Sequence, residues 1–99
     1  MAPTDMTKPA ASVRLFHSAG LHARPVVTLT KLAKTFASRI QIAAHADGPW
    51  IDAKSVVKVM GMKTPSDTEL YFRAEGVDAD AALSALVKLV NDDFNGGPE

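Results

Sequence analysis

The chain has 99 residues, of which 46% are hydrophobic and 22% charged; this composition is typical of a globular domain and argues against disorder throughout. Its 11 basic residues equal its 11 acidic ones, so the overall charge lacks the basic excess of most nucleic-acid-binding proteins. It contains no cysteine, which excludes disulfides, thiolate metal ligands and thiol nucleophiles together.

The length predicts one compact domain rather than two. We expect residues 1–11 to form a flexible N-terminal tail, residues 12–94 the domain and residues 95–99 a C-terminal tail. No stretch approaches the ~18 apolar residues of a membrane span, and the N-terminus lacks the apolar segment of a signal peptide. These features predict a cytoplasmic protein without membrane insertion.

Two different periodicities indicate the first strand and the first helix. Val13 and Leu15 alternate with polar neighbours, which predicts a half-buried strand from Ser12. After a break at residues 18–20, apolar residues recur in steps of three and four, which predicts an amphipathic helix over residues 23–35. Its apolar face comprises Val26, Leu29, Leu32, Ala33 and Phe36.

The middle of the chain is predicted to form a second and a third strand. Ile40 and Ile42 alternate with polar residues within residues 38–44, which favours a strand with both isoleucines facing inward. The sequence "DGP" at residues 47–49 is typical of a turn, and residues 50–53 can form a short returning strand.

The second half is predicted to contain a short helix, a fourth strand and a closing helix. The short helix opens near Ser55, a loop follows at residues 61–67, and residues 68–75 alternate as a strand. Asp78 and Asp80 are expected to cap the closing helix. The apolar residues assigned to these three elements are, in order, Val56, Val59 and Met60; Leu70, Phe72 and Ala74; and Ala82, Leu83, Leu86, Val87, Val90 and Phe94.

The predicted order is therefore β-α-β-β-α-β-α, an arrangement of the split β-α-β kind. Half-buried strands and amphipathic helices in this order favour an α+β, open-faced β-sandwich. In this fold a four-stranded antiparallel sheet is covered on one face by three helices, and its other face is exposed to solvent.

The sequence "AGLHARP" at residues 19–25 places a histidine where a helix begins. The first N–H groups of a helix lack internal partners and carry a partial positive charge, which makes such a terminus suitable for phosphate. His22 occupies the expected cap position, the backbone amide of Ala23 lies in the first turn, and the guanidinium of Arg24 can grip a dianion bidentately. Pro25 fits the first turn because its missing N–H would have no helical partner.

This positive environment disfavours the imidazolium form of His22 and leaves a neutral, nucleophilic ring. A neutral imidazole beside an anion site is suited to accepting a phosphoryl group on a ring nitrogen, a reaction that needs mainly positioning and charge stabilisation. Gly20 would allow a close turn that leaves His22 open to a docking partner. The residues alone thus favour a phosphoryl-accepting site and leave open that His22 is an ordinary surface residue.

The sequences "GLHARP" and "AKSVVKVMGM", about thirty residues apart, resemble the HPr family of phosphocarrier proteins of the bacterial phosphotransferase system, over about residues 12–94. The resemblance implies that His22 is phosphorylated on Nδ1 by enzyme I and passes the phosphate to EIIA proteins of a sugar-uptake or nitrogen-related branch. It implies that Arg24 is the active-site arginine and Pro25 the helix-opening proline. It also implies a carrier rather than a turnover enzyme, without a cofactor of its own, since magnesium and phosphoenolpyruvate belong to the upstream enzyme.

The second motif carries the regulatory and docking residues that the resemblance implies. Ser55 would be the serine that HPr kinase/phosphorylase modifies, and Val56, Val57 and Met60 would form the apolar patch that meets enzyme I. On residue type alone, Ser55 is equally well explained as a helix cap. Helical spacing also predicts that two of the three apolar residues belong to the core. We expect a monomer.

The chain departs from the family at two positions of the first motif. Ala19 stands where many members carry an asparagine, and Val26 replaces a small residue. These differences bear on the rate of transfer rather than on its occurrence.

Several other interpretations are less favoured by the sequence. His17 and His45 could join His22 at a metal, but no pair has helical ligand spacing, so no metal site is predicted. Trp50 is expected to be half-buried and to cover apolar neighbours; stacking of its ring on a ligand is the alternative. The acidic pairs at residues 78 and 80 and at 92 and 93 do not resemble a catalytic dyad.

Two rival function classes use the same fold or surface. One is a regulatory module that docks on a kinase or transcription factor, with phosphorylation only adjusting its affinity; retention of His22 favours the relay over this rival. The other is an RNA-binding domain, which would need aromatic pairs on the central strands and a basic excess, both missing from the sequence.

Overall fold

The computed structural model describes residues 10–15, 23–65, 67–92 and 94. Its elements follow the predicted order β-α-β-β-α-β-α. The strands are β1 (Ala10–Leu15), β2 (Arg39–Ala43), β3 (Ile51–Asp52) and β4 (Thr68–Glu75), and the helices are α1 (Ala23–Lys34), α2 (Val56–Gly61) and α3 (Ala79–Asn91).

The four strands form one antiparallel sheet in the order β1-β4-β2-β3. Strand β4 lies between β1 and β2 and brings Leu70 opposite Val13 and Phe72 opposite Ile42. Because side chains alternate along each strand, this register places the apolar residues of three strands on one face.

That face carries the hydrophobic core, as the alternation predicts. The strand residues buried in it are Val13, Leu15, Ile40, Ile42, Leu70, Phe72 and Ala74. The helices cover this side of the sheet: α3 packs on β1 and β4, while α1 packs against both α2 and α3. The open-faced sandwich is confirmed.

The structure refines the predicted start of the first strand. β1 begins at Ala10, two residues before the expected start, and pairs Ala10 with Arg73 and Ala11 with Phe72. Ala11 packs against the core. Backbone pairing therefore includes two residues of the expected N-terminal tail.

Helix α1 buries the side that its apolar spacing predicts. Pro25, Val26, Leu29 and Ala33 are buried, while Leu32 is only half-buried. Val26, one of the two departures from the family motif, is fully buried and contributes to the core.

Asp78 lies at the N-cap position of α3, but its side chain forms no capping hydrogen bond. Its carboxylate instead accepts hydrogen bonds from the Ala37 amide (2.9 Å), the Ser38 amide (2.9 Å) and the Ser38 hydroxyl. The Ser38 hydroxyl and the Ala37 amide lower the pKa of Asp78 below its ordinary value of 3.8. The Ser38 donors occupy the carboxylate oxygens that would otherwise cap the helix. Asp78 therefore links α3 to the turn before β2.

The second face of the sheet carries polar and charged side chains. Arg14 is within 3.2 Å of Asp67 Oδ1 and 3.7 Å of Glu69 Oε1. The guanidinium of Arg73 lies 4.3 Å from the centroid of the Trp50 ring. Trp50 is half-buried, as predicted.

Candidate functional site

The start of α1 presents hydrogen-bond donors and positive charge together. The helix begins at Ala23, and the amides of its first turn have no acceptor within the helix. The first turn contains no acidic residue, and the side chain of Arg24 is exposed. Pro25 is buried in the same turn, where its fixed φ suits helix initiation. This end of α1 can therefore hold an anion near Arg24 and the Ala23 amide.

His22, the predicted phosphoryl acceptor, lies outside the described residues, as do His17, Ala19 and Gly20. His22 immediately precedes Ala23 in the chain. Its assignment thus stays a prediction, and the described part of the site is the helix start that follows it.

Exposed apolar side chains occur on both α1 and α2, the two helices that pack against each other. On α2, Val57 is 81% exposed and Met60 39% exposed, and their spacing of three residues puts them on the same side of the helix. On α1, Val27 is 40% exposed and lies one turn beyond Arg24. A partner that contacts the start of α1 could bury these residues.

Val27 is the member of this surface that the sequence analysis missed. The same periodicity that places Val26 and Leu29 in the core leaves Val27 on the outer side of α1. A valine at an outward position beside Arg24 was the available signal.

The prediction that two of Val56, Val57 and Met60 belong to the core is wrong. Val56 is half-buried against the core, Val57 and Met60 are exposed, and Val59 is the buried residue of α2. The short helix α2 packs against α1 and β3 and directs only Val59 fully inward. Val57 and Met60 are thus both available to a partner.

Ser55 is the N-cap of α2, as its residue type predicts. Its backbone is extended, with φ −103° and ψ 112°, and its hydroxyl oxygen accepts a hydrogen bond from the Lys58 amide at 3.2 Å. The side chain is half-buried and lies two residues from the exposed Val57. Capping accounts for the serine but leaves a role as a modification site open.

The metal alternative gains no support from the residues that the structure describes. His45 is exposed, and no group of three or more His, Asp or Glu residues in the described ranges is arranged to hold a metal ion. Within the same ranges, none of the helices has the length and apolar character needed to cross a membrane.

Comparison with known proteins identifies a family whose members resemble nearly the whole chain. The family model described as "PTS HPr component phosphorylation site" matches residues 10–92. The chain is 40% identical over 90 residues to the multiphosphoryl transfer protein of Vibrio cholerae; the match covers 90% of the chain and 22% of that protein. It is 30% identical over 89 residues to the phosphocarrier protein HPr of Pseudomonas aeruginosa, with 90% of the chain and 98% of the relative covered.

A solved structure agrees with the fold. The crystal structure of HPr-C-His from Thermoanaerobacter tengcongensis matches 91% of the chain and 99% of its own length, with a TM-score of 0.81 and 28% identity. The family match and the shared fold cover the helix start, Ser55 and the exposed residues of α2 together. The chain therefore belongs to the HPr family, the phosphocarriers of the phosphotransferase system.

Proposed function

We propose that this chain accepts a phosphoryl group from enzyme I on Nδ1 of His22 and passes it to an EIIA-type protein. In each transfer, a bond from phosphorus to the accepting nucleophile forms as the bond to the donor breaks, so the carrier leaves the cycle unchanged. The observation that carries the proposal is the start of α1, where Arg24 and first-turn amides directly follow His22.

The chemistry at this helix start favours transfer over permanent binding. Arg24 is exposed, so its guanidinium can hold the phosphoryl oxygens while remaining accessible to the next protein. Most of the work in phosphoryl transfer is positioning and stabilisation of spread negative charge, which amides and a guanidinium supply.

The test is phosphorylation of the purified chain by enzyme I and phosphoenolpyruvate, followed by intact-mass measurement. We expect a gain of one phosphate that is lost in acid and kept in base. His22→Ala should abolish the gain, whereas His45→Ala, which removes an exposed histidine elsewhere, should retain it. Phosphate on the His22→Ala variant would assign the acceptor to another residue.

We further propose that the exposed apolar residues of α1 and α2 form the docking surface for enzyme I and EIIA. Val27, Val57 and Met60 present exposed apolar surface, which suits brief contacts with several partners. Met60 adds an adaptable side chain of the kind found at promiscuous surfaces.

Regulation at Ser55 is the third part of the proposal. A phosphate on its hydroxyl would place a dianion at the cap of α2, two residues from Val57 in the docking surface. The added charge would oppose burial of this surface against a partner and slow phosphorylation by enzyme I. HPr kinase with ATP should add phosphate to the wild type and to Ser84→Ala, which removes an exposed serine of α3, but not to Ser55→Ala.

The regulatory module remains the alternative, because a docking surface would serve it equally well. Addition of an EIIA protein to the phosphorylated chain separates the two. A relay passes its phosphate on to an EIIA protein, whereas a module of the alternative class retains it and changes only its affinity for a partner.

A further inference from the structure

A groove of about 880 Å³ lies at the edge of the sheet, between β2, β3 and α2. Its volume falls within the range of about 300–1,000 Å³ that is usual for small-molecule sites. Neither Arg24 nor the docking residues Val57 and Met60 line it. The groove is therefore distinct from the described part of the phosphoryl-acceptor site and is not explained by the proposed relay.

Basic side chains dominate the charge of the groove. Arg39, Lys54 and Lys58 line it, against one carboxylate, that of Asp52. Arg39 and Lys58 are exposed, and neither forms an ion pair with a residue in the described ranges. Two cations on one concave surface that form no ion pair within the described part of the chain favour an anionic ligand.

The other two charged residues of the groove, Lys54 and Asp52, form hydrogen bonds with backbone atoms. Lys54 Nζ donates a hydrogen bond to the Phe36 carbonyl oxygen at 2.7 Å, and Asp52 Oδ1 accepts one from the Lys54 amide at 2.9 Å. Lys54 retains donors for a ligand, because an ammonium group has three. The Asp52 carboxylate already has a donor, which moderates its repulsion of an anion.

One wall of the groove is an indole in a fixed orientation. Trp50 lines the groove, and the guanidinium of Arg73 lies 4.3 Å from the centroid of its ring. Arg73 is itself held by a hydrogen bond from its Nε to Gln41 Oε1 at 2.6 Å. A ring that is already held in place loses little further freedom when a planar ligand stacks on it.

Gly61, the last residue of α2, keeps part of this space empty. It lines the groove, and a Cβ built on it would meet no atom within 4 Å. Gly48 and Gly76 have positive φ and crowded surroundings, whereas Gly61 has neither. The backbone therefore does not require glycine at position 61, and the visible consequence of glycine there is open volume.

We propose that this groove binds a mononucleotide, with its base against Trp50 and its phosphate among Arg39, Lys54 and Lys58. The pairing of an aromatic wall with a basic rim matches a ligand that joins a planar ring to a phosphate. A phosphate alone would make no stacking contact with Trp50, and a nucleoside alone would leave the basic side chains without an anionic partner. The proposal does not depend on phosphorylation of His22.

Titration of the chain with AMP tests this proposal, because Trp50 is its single tryptophan and reports directly on the groove. We expect saturable quenching of its fluorescence at millimolar AMP or below, with shifts of backbone amide signals around residues 39–41 and 50–62. Adenosine, ribose 5-phosphate and inorganic phosphate, at matched ionic strength, should each bind at least fivefold more weakly.

Three variants localise the binding. Gly61→Leu should abolish AMP binding by filling the groove, and Lys58→Gln should weaken it by about fivefold, the effect of one partly screened charge contact. Lys88→Gln, which removes a lysine of α3 outside this groove, should bind as the wild type does. A well-dispersed amide spectrum establishes that each variant is folded.

Three results would overturn the proposal. The first is that both single variants, Gly61→Leu and Lys58→Gln, are folded and bind AMP as the wild type does. The second is equal binding of inorganic phosphate, which would reduce the effect to attraction of any anion. The third is the lack of saturable quenching by AMP at millimolar concentration.

Discussion

Arg24 is the side chain on which the proposed anion site at the start of α1 depends most. It is exposed, and it supplies the one guanidinium of the first helical turn. We expect Arg24→Ala to slow phosphorylation by enzyme I by about a hundredfold, which is typical when one donor to developing charge is removed. Quench-flow measurement of phosphate incorporation gives the rate.

Arg14→Ala is the matched control for this variant. Arg14 is also an exposed arginine, but it lies on the open face of the sheet and pairs with Asp67 and Glu69. Its loss should leave the rate of phosphorylation unchanged. Equal rates for Arg24→Ala and the wild type would remove Arg24 from the site.

Asp78 makes the stability of the protein depend on pH in a defined direction. Its pKa is lowered in the folded chain, first by the Ser38 hydroxyl and then by the Ala37 amide. The ionised carboxylate therefore stabilises the fold fully above the ordinary pKa of 3.8, and this stabilisation is lost as the pH falls through the lower, folded value.

We expect Asp78→Asn to destabilise the protein at neutral pH, because an amide group would turn donors towards the donors of Ala37 and Ser38. The difference from the wild type should shrink as the pH falls below 3.8 and then through the lowered pKa of the folded state, where the wild-type carboxylate becomes protonated. Urea unfolding at a series of pH values measures both effects. A difference that stays constant with pH would contradict the assigned role of Asp78.

At the scale of elements, α2 combines a structural cap with the proposed regulatory site at one serine. Removal of the Ser55 hydroxyl leaves the Lys58 amide without its acceptor. We expect Ser55→Ala to lower the free energy of unfolding by about 1 kcal/mol, the usual cost of losing an N-cap. Thermal unfolding followed by circular dichroism checks this value.

Asparagine and aspartate at the same position separate capping from charge. Both residues cap helices well, and only aspartate adds a negative charge beside the proposed docking surface. Ser55→Asn should keep the wild-type rate of phosphorylation by enzyme I, whereas Ser55→Asp should reduce it. Equal rates for the two variants would show that charge at this cap does not control docking.

The exposed face of α2 is expected to matter for partners and hardly at all for stability. Val57 is 81% exposed, so Val57→Ser should change the free energy of unfolding by less than about 0.5 kcal/mol. It should nevertheless raise the KM of enzyme I for the carrier by about fivefold, through loss of apolar contact.

Val77→Ser provides the control, because Val77 is 93% exposed and lies between β4 and α3, outside the proposed docking surface. It should leave the KM unchanged. If both valine variants changed the KM alike, the effect would not belong to docking on α2.

At the scale of the whole molecule, the sequence predicts what depends on local periodicity. The alternation of Leu70 with Phe72 and the helical spacing of Val26 with Leu29 identify buried faces, because each pattern repeats within a single element. The element order and the open-faced sandwich follow from these patterns. The helix start at Ala23 was also predictable, from Pro25.

Contacts between distant segments were not predictable from such patterns. The bonds between Asp78 and Ser38 join residues 40 positions apart, so the local signal at Asp78 indicates only a cap. The Arg73 contact with Trp50 likewise depends on sheet order. The exposure of Met60, which the sequence places on the apolar face of α2 with Val59, also depends on how α2 packs against α1 and β3.

Gly76 shows how strongly one distant contact constrains the whole fold. Its φ is +145°, and a Cβ at this position would lie 2.6 Å from Ser38 Oγ and 2.8 Å from Ser38 Cα. The Ser38 Cα belongs to the backbone and cannot move aside as the end of a flexible side chain can. Ser38 is also the residue whose amide donates to Asp78, so the clash would disturb that hydrogen bond. Gly76→Ala should therefore lower the free energy of unfolding by about 2 kcal/mol or more, from left-handed strain and lost contacts.

Gly61→Ala is the paired control, since it adds the same methyl group in a helix with nothing within 4 Å. It should raise the free energy of unfolding by about 0.5 kcal/mol, because alanine favours helix more than glycine does. Urea unfolding of both variants gives the comparison. Similar changes for the two would mean that the approach of Gly76 to Ser38 does not hold β4, α3 and the turn before β2 together, and that the core alone fixes their arrangement.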